Sequence, residues 1–135
     1  MPTAPDLNEL LPWSHPFLMV DRMVLCVPHE SAVTLKQVTA CDSGDCFPSV
    51  LILEGLSQTA ALLFRLSYGP NALSGAPLLG FLKAKFRASA RPGDTLTYTV
   101  TAIKMTSRSG VFKGYATVDA LRIAAAELAF GINAP

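Results

Sequence analysis

One acidic side chain, Glu54, sits in the otherwise nearly apolar run "PSVLILEGLSQTAALL" of residues 48–63. A carboxyl group is costly to bury without a partner or a proton. Kept in such a place it can give or take protons, and acid–base work needs a second group within reach. On a helix that turns about 100° per residue, Gln58, Ala61 and Arg65 share its stripe, with Gln58 one turn on. Arg65 lies three turns away, too far for a direct pair along one helix, so any charged partner must come from elsewhere in the fold. The loop "CDSGDCFP" (41–48) adds Cys46 and the acids Asp42 and Asp45. Cys46 can act as a base only as a thiolate, and the one local feature that would favour that form is a helix N-terminus. Loop acids are mostly solvated.

The remaining candidates for chemistry are few. The only histidines are His15, beside Pro16, and His29, in the turn-like "PHE" (28–30). A structural role is the favoured reading of His15, and His29 is expected on the surface. Three cysteines, Cys26, Cys41 and Cys46, form no CxxC pair and no zinc-like cluster with histidine, so reduced thiols and no metal are expected. The chain has 135 residues, of which 50% are hydrophobic and 16% charged, with a formal net charge of +1. That suits one domain over residues 1–135 with a substantial core. It argues against a general electrostatic nucleic-acid binder, which would show a basic patch or stripe. The first residues, "MPTAPDLNELLPW", have no basic segment followed by an apolar one, and the purely apolar stretches fall short of a membrane span. A soluble cytoplasmic protein is expected, with no nucleic-acid or membrane partner. Lys83, Lys85, Arg87 and Arg91 form a basic cluster that could meet a phosphate or an acidic carrier, although alternate strand positions make most of them ordinary solvated charges.

The elements that must position Glu54 are legible in outline. Residues 17–27 and 31–40 read as strands, and in the second Val33, Leu35 and Val38 mark the half-buried face. The long helix follows Pro48, with Ser49 as a possible N-cap and "YGPN" (68–71) as the stop. Apolar residues surround most of its circumference, with Ile52, Leu56, Leu63 and Leu66 opposite the Glu54 stripe, so the fold should enclose it. Four strand-like runs follow, near 78–89, 95–106, 111–119 and 121–131. They are divided by "RPGD" (91–94), "SRSG" (107–110) and a reversal at Asp119-Ala120. In "TLTYTVTAI", Leu96, Tyr98 and Val100 share one face. Phe64, Phe81, Phe86 and Tyr98 read as core filling, with closure of a tunnel as the other possibility. Two strands, one buried helix and four more strands predict an α+β domain with an antiparallel sheet packed on the helix.

Several segments, in this order and over nearly the whole chain, resemble the 3-hydroxyacyl-acyl carrier protein dehydratases of fatty acid biosynthesis. "LPWSHPFLMVDR" (11–22) is similar to that family's LPHRYPFLLVDR, and "FPSVLILEGLSQTAA" (47–61) to its PGVLILEAMAQ. "KAKFRASARPGDTL" (83–96) is similar to ARFRRPVVPGD, and "FKGYATVDALRIAAAE" (112–127) to FKGxAxVDGxxVxEAE. The resemblance implies a hot-dog fold, in which the sheet wraps around one long central helix. It also implies a homodimer, or a higher homo-oligomer built of dimers, with each acyl tunnel at the subunit interface. The partner it implies is an acyl thioester on acyl carrier protein or coenzyme A, and no cofactor.

In that family a histidine takes a proton from C2 of the 3-hydroxyacyl thioester. A carboxylic acid on the central helix protonates the leaving hydroxyl, and helix-terminal amides polarise the thioester carbonyl. The acid falls on Glu54 and the family's glutamine on Gln58, while Phe47, Pro48, Ser49, Val50 and Leu51 fall on the helix entry that meets the substrate. The family's histidine belongs to a GHFPGxPxxPG loop before the helix. Here "DSGDCFPS" is shorter and has no histidine. Either Cys46 occupies the base position, or, as the unbroken match of "FPSVLILE" favours, the histidine triplet has been deleted. Three functions stay open: a dehydratase-like lyase with another base or a water, a thioester hydrolase that uses Glu54, and a non-catalytic acyl-thioester-binding subunit.

Overall fold

The computed structural model describes residues 7, 18–39, 47–69, 71–73 and 76–133. Its elements run β1 (Arg22–Val27), β2 (Ser31–Gln37), α1 (Ser49–Tyr68), β3 (Ala76–Phe86), β4 (Thr95–Met105), β5 (Ser109–Val118) and β6 (Leu121–Asn133). The six strands make one antiparallel sheet in the order β1-β2-β4-β5-β6-β3. The turns form where the residue chemistry expects them. His29 has φ 67°, Gly93 has φ 98°, and Asp119 and Ala120 have φ 50° and 66°, the left-handed values of tight reversals. In "RPGD" the Asp94 carboxylate accepts from the Arg91 N–H at 2.8 Å, closing the turn.

The first strand begins later than its β-rich sequence suggests, at Arg22 rather than residue 17. Met19 and Val20 are buried outside any strand, and the Met19 N–H is directed at a side chain of α1 rather than at a neighbouring strand. In β2 the buried face also differs from expectation. Ala32, Thr34 and Lys36 point into the core, while Val33 and Leu35 lie half-buried on the other face. Specific partners outweigh hydrophobicity here. Thr34 Oγ1 lies 2.8 Å from Thr59 Oγ1 on the helix, and Lys36 Nζ lies 3.7 Å from Asp21 Oδ1. On β4 the predicted face is correct, and Leu96, Tyr98 and Val100 are fully buried.

The sheet curves around α1. Every residue from 55 to 64 on the helix is buried, so the fold encloses this part of the helix, as apolar residues around most of its circumference predict. By length and composition α1 could cross a membrane, but most of that stretch is packed inside this domain. The helix stops where "YGPN" predicts, with Gly69 at φ 95° and its N–H donating to Arg65 O at 3.0 Å. Its start differs from expectation: Pro48 occupies the cap position, and Ser49 is the first helical residue. Phe64 and Tyr98 fill the core as expected, whereas Phe86 is 41% exposed; the Phe81 side chain lies outside the described residues.

One close approach sets the helix height above the sheet. A Cβ on Gly55 would lie 2.3 Å from Cζ and 2.4 Å from Oη of Tyr98, so only glycine lets that ring reach the helix backbone. Gly55→Ala is therefore expected to destabilise the protein by about 1–2 kcal/mol in urea denaturation, overpacking outweighing the helix propensity that alanine gains. An increase in stability would show that Tyr98 yields freely.

Candidate functional site at Glu54

Glu54 lies in the second turn of α1 and is half-buried. The turn before it is sparsely capped. Pro48 contributes no side-chain cap and no acidic residue occupies that turn, while the N–H groups of Leu51 and Ile52 donate to Pro48 O at 3.0 and 3.3 Å. The positive end of the helix dipole thus lies at this sparsely capped first turn.

The acid's partner is Gln58, which is completely buried. Gln58 Nε2 donates to Glu54 Oε1 at 3.1 Å, and Gln58 Oε1 accepts from the Met19 backbone N–H at 2.6 Å. A backbone N–H can only donate, so the amide oxygen must face Met19 and the NH2 must face the carboxyl group. Glu54 Oε1 is consequently an acceptor. Among the described residues Oε2 has no hydrogen-bond partner. This orientation follows from the segment that reads as strand in sequence and is not one: Met19 is free to serve Gln58 because residues 18–20 pair with no strand.

Other predicted residues divide clearly. Pro48, Ser49 and Val50 are exposed at the helix entry, with Val50 67% exposed, and Leu51 is half-buried. Phe47 is buried, and its N–H donates to Ala90 O at 2.7 Å. Cys46, Asp42, Asp45, Cys41 and His15 lie outside the described residues. His29 is exposed as expected, yet its ring packs edge-on against Tyr68 with centroids 4.9 Å apart. Cys26 carries a free, half-buried thiol whose pKa burial pushes up, the direction opposite to a nucleophile's requirement. Among the described residues no group of three or more His, Cys, Asp or Glu could hold a metal ion.

The basic cluster regroups. Lys83 and Lys85 line a groove on the outer face of the sheet with Lys113 and Arg122, and the Arg122 guanidinium stacks 3.9 Å over the Tyr115 ring. Strand register brings these cations together, with Lys83 and Lys113 both opposite Glu127. Sequence separation hides that grouping. The Met19 N–H was equally hidden, since a backbone donor leaves no signature in residue type.

A FabA-like domain matches residues 11–127. The chain is 36% identical over 139 residues to the 3-hydroxyacyl-[acyl-carrier-protein] dehydratase FabZ of Enterococcus faecalis, covering 97% of this chain and 98% of that protein. It is 40% identical over 131 residues to the enzyme of the same name from Gluconacetobacter diazotrophicus, covering 89% and 80%. Among solved structures, the dehydratase heterocomplex ApeI:P from Xenorhabdus doucetiae superposes with a TM-score of 0.73 at 13% identity, covering 95% of this chain and 91% of that one. The architecture is the hot-dog fold.

The Gln58 bridge generates a pH-dependent outcome. Gln58→Glu keeps an acceptor for Met19 but sets a second carboxyl against Glu54, and two carboxyls at this distance cannot both ionise cheaply. The folded-state pKa of the pair then exceeds the unfolded value, so its contribution is present at low pH and lost as pH rises through the folded value. The variant's stability relative to wild type should fall by roughly 1–3 kcal/mol between about pH 4 and pH 8, read by chemical denaturation. A constant difference across that range would rule out the direct contact.

Proposed function

Because the chain belongs to the FabA-like family, we propose that it binds a 3-hydroxyacyl thioester, carried on acyl carrier protein or coenzyme A, and eliminates water from it with Glu54 as the acid. The observation that supports this most is the fixed orientation of the Glu54 carboxyl by Gln58, which leaves Oε2 to carry the proton. In the reaction a base removes a proton from C2, the electron pair forms the C2–C3 double bond, and the C3 hydroxyl departs as water with the proton from Oε2. Gln58 positions the acid and stabilises the carboxylate that remains. The first-turn amides of α1, around Ser49 and Val50, suit polarisation of the thioester carbonyl. Cys46 is the candidate for the base, since it precedes a helix N-terminus without a side-chain cap or first-turn acid, where a thiolate is favoured.

A homodimer is part of this reading. The long strand β3 ends the sheet, and Phe86 on it and Val50 on α1 are both exposed. Pairing of two copies along β3 would remove a strand edge that otherwise invites adventitious pairing.

The second reading is thioester hydrolysis, favoured by one observation: "CDSGDCFPS" contains no histidine. Hydrolysis needs only a carboxylate that activates water or attacks directly, a role open to ionised Glu54. Parallel assays separate the two. With 3-hydroxybutyryl and 3-hydroxydecanoyl thioesters, wild type should form the 2-enoyl product, and Glu54→Gln and Cys46→Ala should each lower kcat by about 10²–10⁴-fold. Release of free thiol without enoyl product, lost in Glu54→Gln but kept in Cys46→Ala, would establish hydrolysis. Thioester binding with neither turnover would leave an acyl-binding subunit.

A further inference from the structure

Glu54 is oriented through a relay, and the relay needs an anchor. Its links are Gln58 Nε2 donating to Glu54 Oε1 at 3.1 Å and the Met19 N–H donating to Gln58 Oε1 at 2.6 Å. Residues 18–21 belong to no strand, so no ladder fixes where Met19 stands against the helix. The chain is next tied down two residues on, at Asp21. Two residues reach at most about 7 Å, so a tie at Asp21 closely confines the Met19 N–H.

Asp21 contacts three successive residues of β2. Its N–H donates to Leu35 O at 2.8 Å, its Oδ1 lies 3.7 Å from Lys36 Nζ, and its Oδ2 accepts from the Gln37 N–H at 2.6 Å. The bond from Gln37 goes to a carboxylate, which makes it one of the stronger kind. This end of β2 is itself fixed. Gln37 Nε2 donates to Gly93 O at 3.2 Å, and Gln37 Oε1 accepts from Thr95 Oγ1 at 2.8 Å. The Asp21 side chain is 47% exposed and adds little to the core, so its contribution lies in these ties. Met19 and Val20 are buried and hold the same segment by packing. Packing is non-directional, whereas the bond from Met19 to Gln58 depends on distance and angle, so burial alone does not set it.

We propose that Asp21 is a positioning residue for Glu54: by tying the chain before β1 to β2, its carboxylate places the Met19 N–H that orients Gln58 and, through it, the acid. The inference rests on the reading of Glu54 as the acid and deepens it by naming a residue outside α1 that aims it. Hydrogen exchange and side-chain amide signals in nitrogen–proton NMR test the placement without turnover. In Asp21→Ala the Met19 N–H should exchange at least about tenfold faster relative to the Arg87 N–H, the scale of one lost hydrogen bond. Arg87 serves as the control because its N–H bonds Ile123 O at 2.7 Å, outside the relay. The two Nε2 protons of Gln58, separated in wild type because one faces Glu54, should move together. With 3-hydroxybutyryl-pantetheine, kcat for dehydration should fall about tenfold or more while KM changes less than about twofold. Asp21→Asn, which keeps an oxygen for the Gln37 N–H, should recover most of these losses. If Asp21→Ala does not fold, Asp21→Ser carries the same expectation with a smaller change. Equal acceleration at Met19 and Arg87, or unchanged Gln58 signals in the variant, reduces Asp21 to a stability role and overturns the inference. A wild-type kcat in Asp21→Ala overturns it as well. No turnover by wild type, with the NMR response as expected, overturns the lyase reading alone and leaves the placement of the carboxyl standing.

Discussion

The buried middle of a helix must satisfy its polar side chains from within, and that constraint organises the packing around α1. Between residues 55 and 64 nothing on α1 reaches solvent. Thr59 answers to Thr34 and to the Gly55 carbonyl, and Ser57 to the Glu54 carbonyl. Gln58 answers to Met19 and Glu54 together. Each pairing draws a particular piece of chain against the helix, because an unmet buried polar group costs more than the contact itself contributes. The half-buried Glu54 therefore stands at the edge of a region already committed to hydrogen bonding.

The same constraint explains where the sheet departs from simple alternation. β2 turns Thr34 and Lys36 inward because Thr59 and Asp21 await them, and its better strand formers, Val33 and Leu35, take the other face. The chain before β1 gives up strand pairing so that a backbone N–H can reach Gln58. Asp21 then ties this segment to β2, its N–H donating to Leu35 O at 2.8 Å and its carboxylate accepting from Gln37 N at 2.6 Å. Tyr98 packs beside them against Gly55.

For chemistry, the consequence is a carboxyl with two inequivalent oxygens. One is held as an acceptor, and the other has no hydrogen-bond partner among the described residues. A freely rotating surface glutamate has no such distinction. The amide that imposes it is itself fixed by a backbone donor that cannot reverse.

Much of this was legible in the residues. Turn chemistry at "RPGD" and Asp119-Ala120, the "YGPN" stop, the alternation of β4 and the apolar circumference of α1 are local signals, and the structure realises each of them. The acid and its glutamine were legible too, because one helical turn places them together whatever the rest of the chain does. What only the tertiary structure decided depends on elements far apart in sequence: the Met19 N–H that orients Gln58, the inward turn of Thr34 and Lys36, and the Tyr98 ring against Gly55. Local pattern reports the preference of each segment alone. Which preference prevails is set by the partners that other segments bring, and that is a property of the packed whole.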